Sequence, residues 1–222
     1  MIMKHTNVET LFANGIKATD LSKKQQSVLQ ASLTLFAQQG YENTSTQDIA
    51  QLAGVSEGTV FKHFKTKEGL LQAILTPFIH DIFPQVAGEF LTALAENPFD
   101  DFETFLRYAV HDRISYAMDN RREMKIFIQE MVKNPTILTK LTERLGGLLQ
   151  SGINRLFADY QQRGQLVDWD SMRIIRLVSG VMVGYLIPNI IMSDQPLDCE
   201  AITNEICEFL LNGLRPTAET AS

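Results

Sequence analysis

The chain has 222 residues, of which 45% are hydrophobic and 21% charged, a composition typical of a globular protein with one large domain or two modest ones. Its formal net charge of −6 argues against a protein that binds nucleic acid over its whole surface. Its two cysteines, Cys199 and Cys207, lack a short metal-type spacing, so we expect no disulfide framework and a reducing, cytoplasmic location.

The charge is distributed unevenly along the chain. Residues 1–70 hold seven lysines and six acidic residues, a net charge of +1, whereas the remainder holds thirteen basic and twenty acidic residues, a net charge of −7. Lys62, Lys65 and Lys67 lie close together in the sequence. The acidic total therefore does not exclude a local basic surface that binds DNA.

Helical patterns follow one another along the chain, without a period-two strand pattern or an internal repeat, so the predicted class is all-α. Residues 1–21 lack the apolar core of a signal peptide and are predicted to form an N-terminal arm, either flexible or folded as a short helix. An amphipathic helix is predicted from about residue 22 to residue 39, where Gly40 ends it.

Two short helices follow, at about 46–53 and from Glu57, and a longer helix begins at Lys67 and is interrupted near Pro77. The first of these is predicted to bury Ile49, Ala50, Leu52 and Ala53. Further breaks are predicted at Pro84, Pro98 and Pro135 and in the segment QQRGQLVDWD.

The two short helices have the spacing of a helix-turn-helix. Such a motif needs a small residue in its first helix, a glycine in the turn and a branched apolar residue in its second helix, and Ala50, Gly54 and Val60 meet these needs. Phe61 and Phe64 are expected in the core of this hairpin rather than stacked on bases. The outer face of the second helix is small, polar and partly basic, which suits a DNA major groove, and consists of Ser56, Glu57, Gly58, Thr59, Lys62 and His63.

Residues 24–75 resemble the TetR family of bacterial transcriptional regulators. The matching motifs are Gly-Tyr, Ala-Gly-Val-Ser, Gly-Thr, His-Phe and Lys-Glu-x-Leu, all in one register. The matched positions are Phe36, Gly40, Tyr41, Thr44, Ile49, Ala50, Ala53, Gly54, Val55, Ser56, Gly58, Thr59, His63, Phe64, Lys67, Glu68 and Leu70.

The resemblance implies a homodimer whose two heads read a pseudo-palindromic DNA operator, with a small-molecule effector and no cofactor or metal. It also implies that a ligand changes the spacing of the heads, with the helix from Lys67 acting as the lever. Phe61 departs from the family, where tyrosine is usual, so one polar contact to DNA is expected to be absent. The implied DNA-binding residues are Thr46, Ser56, Glu57, Gly58, Thr59, Phe61, Lys62, His63 and Lys67.

The implied domains are an arm at 1–21, a DNA-binding domain at 22–70, a ligand-binding and dimerisation domain at 71–214 and a tail at 215–222. Aromatic residues at helical spacing, interleaved with charged ones, are typical of core and of an apolar ligand site. An apolar or aromatic ligand is expected, cationic if Asp112 or Glu130 faces inward. The candidate ligand-binding residues are Phe102, Phe105, Tyr108, His111, Asp112, Tyr116, Phe127, Glu130 and Met131.

The most apolar run, residues 174–192, contains Arg176 and Pro188, so we expect a helix buried within protein rather than a membrane span. Two alternatives remain open for it: a helix central to its own monomer, or half of a four-helix dimer interface with the helix at about 198–211. The candidate dimerisation residues are Ile175, Ser179, Gly180, Val183, Gly184, Ile187, Ile202, Ile206, Phe209 and Leu210.

An enzyme is the alternative class. Two His-Asp pairs, His80-Asp81 and His111-Asp112, are similar to the metal-binding pairs of HD-type phosphohydrolases, which are also all-α. Such pairs arise easily by chance, and no phosphate-binding glycine loop or nucleophile elbow accompanies them. The sequence therefore favours a regulator without catalytic residues. A third alternative is a TetR-like module that binds DNA and a protein partner but no ligand.

Overall fold

The computed structural model describes residues 6–97, 99–193 and 195–216, which form helices joined by short loops and contain no strand. The all-α prediction is confirmed. The first six helices are α1 (Val8–Lys17), α2 (Lys23–Gln39), α3 (Thr46–Ala53), α4 (Glu57–Phe64), α5 (Lys67–Pro77) and α6 (Phe83–Glu96), with a π-helical turn at Phe78–Ile82 before α6. The others are α7 (Phe102–Asp119), α8 (Arg121–Lys133), α9 (Pro135–Gln162), α10 (Ser171–Ile191) and α11 (Cys199–Leu214).

The described residues divide into two compact units. The N-terminal unit consists of Thr6–Gln85 and Asn120–Thr142, and the C-terminal unit consists of Val86–Asp119 and the residues from Glu143 onward. Helix α8 therefore packs with the N-terminal helices although it lies far from them in sequence. The predicted domain boundaries stay predictions, and residues 1–5 of the predicted arm and 217–222 of the predicted tail lie outside the described residues.

Residues 8–17 of the predicted arm form helix α1, which settles the choice between a flexible arm and a short helix. Val8, Phe12 and Ile16 are spaced four residues apart and are all buried. The backbone N–H of Val8 donates to Oδ1 of Asn120 at 2.7 Å, and the Phe12 ring lies 5.5 Å from that of Phe78. This helix is thus an integral part of the N-terminal core.

The α-helix expected to be interrupted near Pro77 ends there at a π-helical turn, whereas the break expected at Pro84 does not occur. Helix α5 ends at Pro77 and continues directly through the π-helical turn into α6. A proline lacks the N–H that a helix interior requires, and the α-helical pattern changes to a π-helical turn directly after Pro77. Pro84 occupies the first turn of α6, and Pro135 begins α9.

The core of the C-terminal unit lies where α7, α10 and α11 pack together. Val110, Ile114, Ile174 and Ile206 are fully buried there. Helix α10 contributes less to this core than its composition predicts, since only 17% of its most apolar window is buried. It is long and apolar enough to cross a membrane by length and composition, which for one helix is weak evidence. This low burial does not favour the alternative of a helix central to its own monomer.

Candidate DNA-binding site and apolar cavity

The turn between α3 and α4 is built on Gly54. Its backbone is left-handed, with φ 67° and ψ 35°, a conformation that a side chain disfavours. The N–H of Val55 donates to the carbonyl of Ala50 at 3.0 Å, which closes the end of α3. Ala50 and Val60 are buried, and α3 and α4 both pack on α2. The helix-turn-helix predicted from Ala50, Gly54 and Val60 is confirmed.

The first turns of α3 and α4 are held by side-chain hydrogen bonds. Ser45 accepts from the N–H of Asp48 at 3.0 Å and donates to its carboxylate, which lowers the Asp48 pKa. Ser56 accepts from the N–H of Thr59 at 3.3 Å and so caps α4. The Thr46 hydroxyl donates to Oε1 of Glu57 at 2.6 Å and joins the two helix starts. These bonds fix the N-termini of α3 and α4 on the same side of the three-helix head, which consists of α2, α3 and α4.

The outer face of α4 carries most of the predicted DNA-binding residues. Ser56, Glu57 and Gly58 are exposed in its first turn, and Lys62 and His63 are exposed in its last turn. Thr46 and Thr59 are half-buried. Contacts in a DNA groove require side chains that are accessible and that project from a well-fixed helix. The outer face of α4 meets both conditions.

One aromatic and one aliphatic side chain of the motif, both predicted to be buried, are exposed. Phe61 is 47% exposed and is not hairpin core, and Leu52 is 54% exposed and is not buried. Successive side chains along a helix are rotated by about 100° from one another. The side chain of Phe61 therefore points away from the face that contains Val60. Leu52 similarly lies about 100° from the centre of the buried stripe of α3. Phe64 is half-buried and contributes to the core as expected.

Lys67 at the start of α5 is bound to the loop between α2 and α3. Its Nζ donates to the carbonyls of Tyr41 and Glu42 at 3.0 and 3.4 Å and lies 4.4 Å from the centre of the Tyr41 ring. Lys133 of α8 reaches Oε1 of Glu42 at 3.0 Å, a bond that raises the Lys133 pKa. Burial is the main cause of the raised Tyr41 pKa. Lys67 thus has a structural role in the head, and its predicted phosphate contact stays a prediction.

The C-terminal unit contains an apolar cavity of about 160 Å³. Helix α7 contributes a stripe with helical spacing, Phe102, Phe105, Leu106, Ala109, Val110 and Arg113. Phe102 and Phe105 were predicted ligand residues, whereas the others on α7 were missed. Extending the stripe from Phe102 by three and four residues at a time leads to Arg113. The remaining walls come from Phe90, Leu94, Ile153, Phe157, Ile175, Val178, Ser179 and Met182.

Arg113 is bound inside the protein. Its Nε and Nη2 donate to Oδ2 of Asp112 at 2.9 and 2.6 Å, and its guanidinium lies 4.1 Å from the centre of the Phe90 ring. Asp112 is only 2% exposed. A buried carboxylate needs such a partner, so the pair keeps this wall electrically neutral.

The structure does not bring the nine predicted ligand residues together. Tyr108 packs on Phe99 at 5.0 Å between ring centres, and His111 Nδ1 lies 3.4 Å from Ser115 Oγ. Tyr116 lies beside Arg113, 5.1 Å from guanidinium to ring centre. These three residues are on α7 but do not line the cavity.

Three other predicted ligand residues, Phe127, Glu130 and Met131, belong to α8 in the N-terminal unit. The Phe127 ring lies 4.2 Å from that of Phe78, and Glu130 lies 3.3 Å from Lys133 Nζ.

The predicted dimerisation residues separate into three groups. Ile175 and Ser179 line the cavity. Ile206 and Leu210 are buried in the chain's own core, where they are not available to a partner, and Ile202 packs beside them. The remaining residues are exposed and form what we call the outer face of α10 and α11: Gly180, Val183, Gly184, Ile187 and Phe209.

Residues 6–97, 99–193 and 195–216 contain no group of three or more histidine, cysteine, aspartate or glutamate residues arranged to hold a metal ion. His80 and Asp81 lie in the π-helical turn, and Asp112 is bound by Arg113.

Comparison with known proteins agrees with this geometry. Residues 28–74 match the sequence model of the bacterial regulatory proteins of the tetR family. The fatty acid metabolism regulator protein of Bacillus subtilis is 22% identical over 86% of this chain and 95% of its own length. The HTH-type transcriptional regulator RutR of Escherichia coli K12 is 27% identical over 74% of each chain.

A solved structure has the same fold. The transcriptional regulator FadR from Bacillus subtilis, in complex with stearoyl-CoA, superposes with a TM-score of 0.61, is 21% identical and covers 85% of this chain and 98% of its own. The chain is thus similar over residues 28–74 to the bacterial regulatory proteins of the tetR family, and over most of its length to known transcriptional regulators.

Proposed function

We propose that the protein is a homodimeric repressor that leaves its DNA operator when a small apolar molecule binds. The observation that carries this proposal is the outer face of α4, which presents Lys62 and His63 from a helix fixed by the Ser56 cap and the buried Val60. A short, rigid and partly basic helix end is suited to base edges and neighbouring phosphates. Thr59 and Lys62 contact base or backbone, and Thr46 and His63 contact phosphate.

The outer face of α10 and α11 supports a homodimer. Val183 and Phe209 are 46% and 67% exposed, and Gly180 and Gly184 permit close approach of another helix. Large exposed apolar side chains that lie together are typical of an interface. A two-fold dimer places two α4 helices on half-sites roughly 34 Å apart, which makes the operator pseudo-palindromic.

The cavity of the C-terminal unit supports an apolar effector. FadR of Bacillus subtilis, which has the same fold, was solved with stearoyl-CoA. The two acids considered as partners for a cationic ligand are already paired within this chain. Asp112 is bound by Arg113, and Glu130 lies beside Lys133. We therefore favour an uncharged ligand over a cationic one.

Release of DNA requires that the ligand have different affinities for two arrangements of the dimer. Helix α5 is the proposed lever, because it follows the DNA-reading helix directly and Lys67 binds it to the loop before α3. A ligand that favours another spacing of the heads then weakens operator binding. The protein performs this role in the cytoplasm.

Binding selection tests this proposal. The full-length chain selects from a pool of random duplexes, and the retained sequences are determined. We expect an inverted repeat with half-sites one helical turn apart, or a multiple of it. Retained sequences that share no motif would contradict the operator, and a single half-site would contradict the dimer.

A further inference from the structure

We infer that the cavity selects a compact, uncharged apolar ligand, about the size of one ring, and rejects a long acyl chain. This inference rests on the proposed function, because it defines the effector of the same site. It also separates this chain from the FadR structure that holds stearoyl-CoA.

The first argument is size. The cavity of about 160 Å³ is close to an engineered protein cavity of roughly 150 Å³ that holds benzene. A stearoyl chain has roughly three times as many carbon atoms as benzene, so it exceeds this volume by a wide margin. The space present accommodates a single aromatic or alicyclic ring.

The second argument is that one side of the cavity resists expansion. Phe102, Phe105 and Phe157 are each at most 5% exposed, and their ring centres lie 6.0 to 6.3 Å apart. Tyr160 packs against the first two at 5.6 and 5.3 Å. Interlocked rings of this kind transmit strain, and forcing extra volume into such packing typically costs about 1–3 kcal/mol or more.

The opposite side is looser and has a different composition. Val178 and Met182 of α10 line the cavity and are only half-buried. A ligand enters on this side most easily, since fewer packed neighbours must move. Substitutions at these two positions therefore change the cavity volume with little effect on the aromatic side.

The third argument is polarity. Arg113 is the charged residue among those lining the cavity within the described part of the chain, and its bonds to Asp112 make the pair neutral. A ligand carboxylate near the guanidinium would lie beside the Asp112 carboxylate and repel it. An uncharged ligand avoids both this repulsion and the cost of burying a charge.

The experiment is calorimetric titration of the full-length chain with toluene, as the compact probe, and with stearoyl-CoA. We expect toluene to bind and stearoyl-CoA to bind at least tenfold more weakly. Val178→Phe fills the cavity and should weaken toluene binding at least tenfold. Val132→Phe is the matched control, because Val132 is 79% exposed on α8 and does not line the cavity.

A second variant keeps the test decisive if Val178→Phe does not fold. Met182→Ala enlarges the cavity, and we expect naphthalene to gain affinity relative to toluene by several-fold. Tighter binding of stearoyl-CoA than toluene to the wild type, or toluene binding unchanged by Val178→Phe, would overturn the inference.

Operator binding, measured with each probe, separates this inference from the proposed function. If stearoyl-CoA releases DNA and toluene neither binds nor releases it, the ligand class is wrong and the regulator stands. If toluene binds in the cavity and no probe affects DNA binding, the ligand class stands and the proposed ligand response fails.

Discussion

At the scale of single residues, Phe61 is an exposed side chain that was expected in the core of the helix-turn-helix. It occupies the outer face of α4, next to Lys62, and nearly half of its surface is accessible. An apolar ring at this place is available to a thymine methyl group or a sugar. Its exposure also means that it contributes little to the stability of the head.

We predict that Phe61→Ala weakens operator binding by about tenfold, since a lost base contact costs about 1–3 kcal/mol, and changes the free energy of unfolding by less than about 1 kcal/mol. Phe61→Tyr should retain or improve binding. Fluorescence anisotropy and urea unfolding measure the two effects. Leu138→Ala, at a residue 51% exposed on α9, is the matched control and should leave DNA affinity unchanged. Full affinity in Phe61→Ala would show that the ring does not contact DNA.

Cys207 gives a prediction about pH. Burial raises the pKa of its thiol to about 11, from 9.0 in an exposed cysteine. Between these values the unfolded chain loses a proton that the folded chain keeps, so the folded state loses stability as the pH rises from 9.0 to 11. The loss from this group is about 1–3 kcal/mol.

Urea unfolding at several pH values checks this, with Cys207→Ala as the comparison. The stability of the wild type should fall more steeply over this window than that of the variant, because lysines titrate equally in both. Parallel slopes would show that the thiol does not contribute.

The buried positions Ile49, Ala50 and Val60 could be predicted from spacing alone, because each satisfies a requirement of the motif. Leu52 and Phe61 could not, since α3 and α4 have eight residues each and two turns do not define the edge of a buried stripe. Which neighbour covers that edge depends on helices distant in sequence.

At the scale of elements, the junction of α4 and α5 is the most constrained segment of the head. Lys65 has a φ of 64°, unusual for a residue with a side chain, and the N–H of Thr66 donates to the carbonyl of Phe64 at 2.7 Å. A Cβ on Gly69 would lie 2.2 Å from the same carbonyl oxygen. Only glycine permits α5 to begin this close to the end of α4.

Gly69→Ala is therefore predicted to destabilise the protein by about 2 kcal/mol or more and to reduce DNA affinity, because the junction must shift. Gly58→Ala is the control: its nearest contact is the Ser56 Oγ at 3.9 Å, and alanine is a better helix former than glycine. It should keep or raise the stability, by up to about 1 kcal/mol. Thermal unfolding measures both variants. Equal stabilities would mean that the junction is not constrained as described.

Most helices could be predicted from periodicity and caps, but the region around the π-helical turn could not. Pro77 and Pro84 indicate a break, whereas the chain remains helical through both and changes only to a π-helical turn after Pro77. Helix α1 could not be predicted from the local sequence, because its buried side packs on the ring of Phe78 and its first residue is bound by Asn120. Such partners are not visible in a local pattern.

At the scale of the whole molecule, α10 has two apolar faces with different surroundings. Ile175, Val178 and Met182 line the cavity, whereas Val183 and Ile187 belong to the outer face of α10 and α11. The high apolar content that resembled a buried helix is thus explained by a ligand site on one face and a proposed partner subunit on the other. The proposed ligand and the proposed partner subunit would therefore contact the same helix.

We predict that Val183→Asp converts the protein to a monomer, because a charge buried in a helix interface has no partner there. The monomer should bind the operator at least tenfold more weakly, since it engages only one half-site at a time. Light scattering after size-exclusion chromatography gives the mass. Val132→Asp, at an exposed valine of α8, is the control and should remain dimeric. A dimeric Val183→Asp would place the interface elsewhere.

The two-unit organisation shows what a sequence pattern cannot predict at this scale. Residues 71–214 read as one domain, yet Asn120–Thr142 packs with the N-terminal helices. The cause is contacts such as those of Lys133 with Glu42 and of Phe127 with Phe78, which join residues far apart in sequence. The ligand residues predicted on α8 belong to the N-terminal unit for the same reason.

The measurement that tests the central claim most directly is fluorescence anisotropy on a duplex from upstream of the protein's own gene, across a salt series. Wild type is compared with the double variant Thr59→Ala/Lys62→Ala and with Lys140→Ala, which removes an exposed lysine outside the three-helix head. The account predicts sequence-selective binding by wild type and by Lys140→Ala that weakens with salt. The double variant should lose selectivity and show a salt slope smaller by about one. Equal affinities of the wild type for this duplex and for random DNA, or an unaffected double variant, would contradict a DNA-reading role for α4.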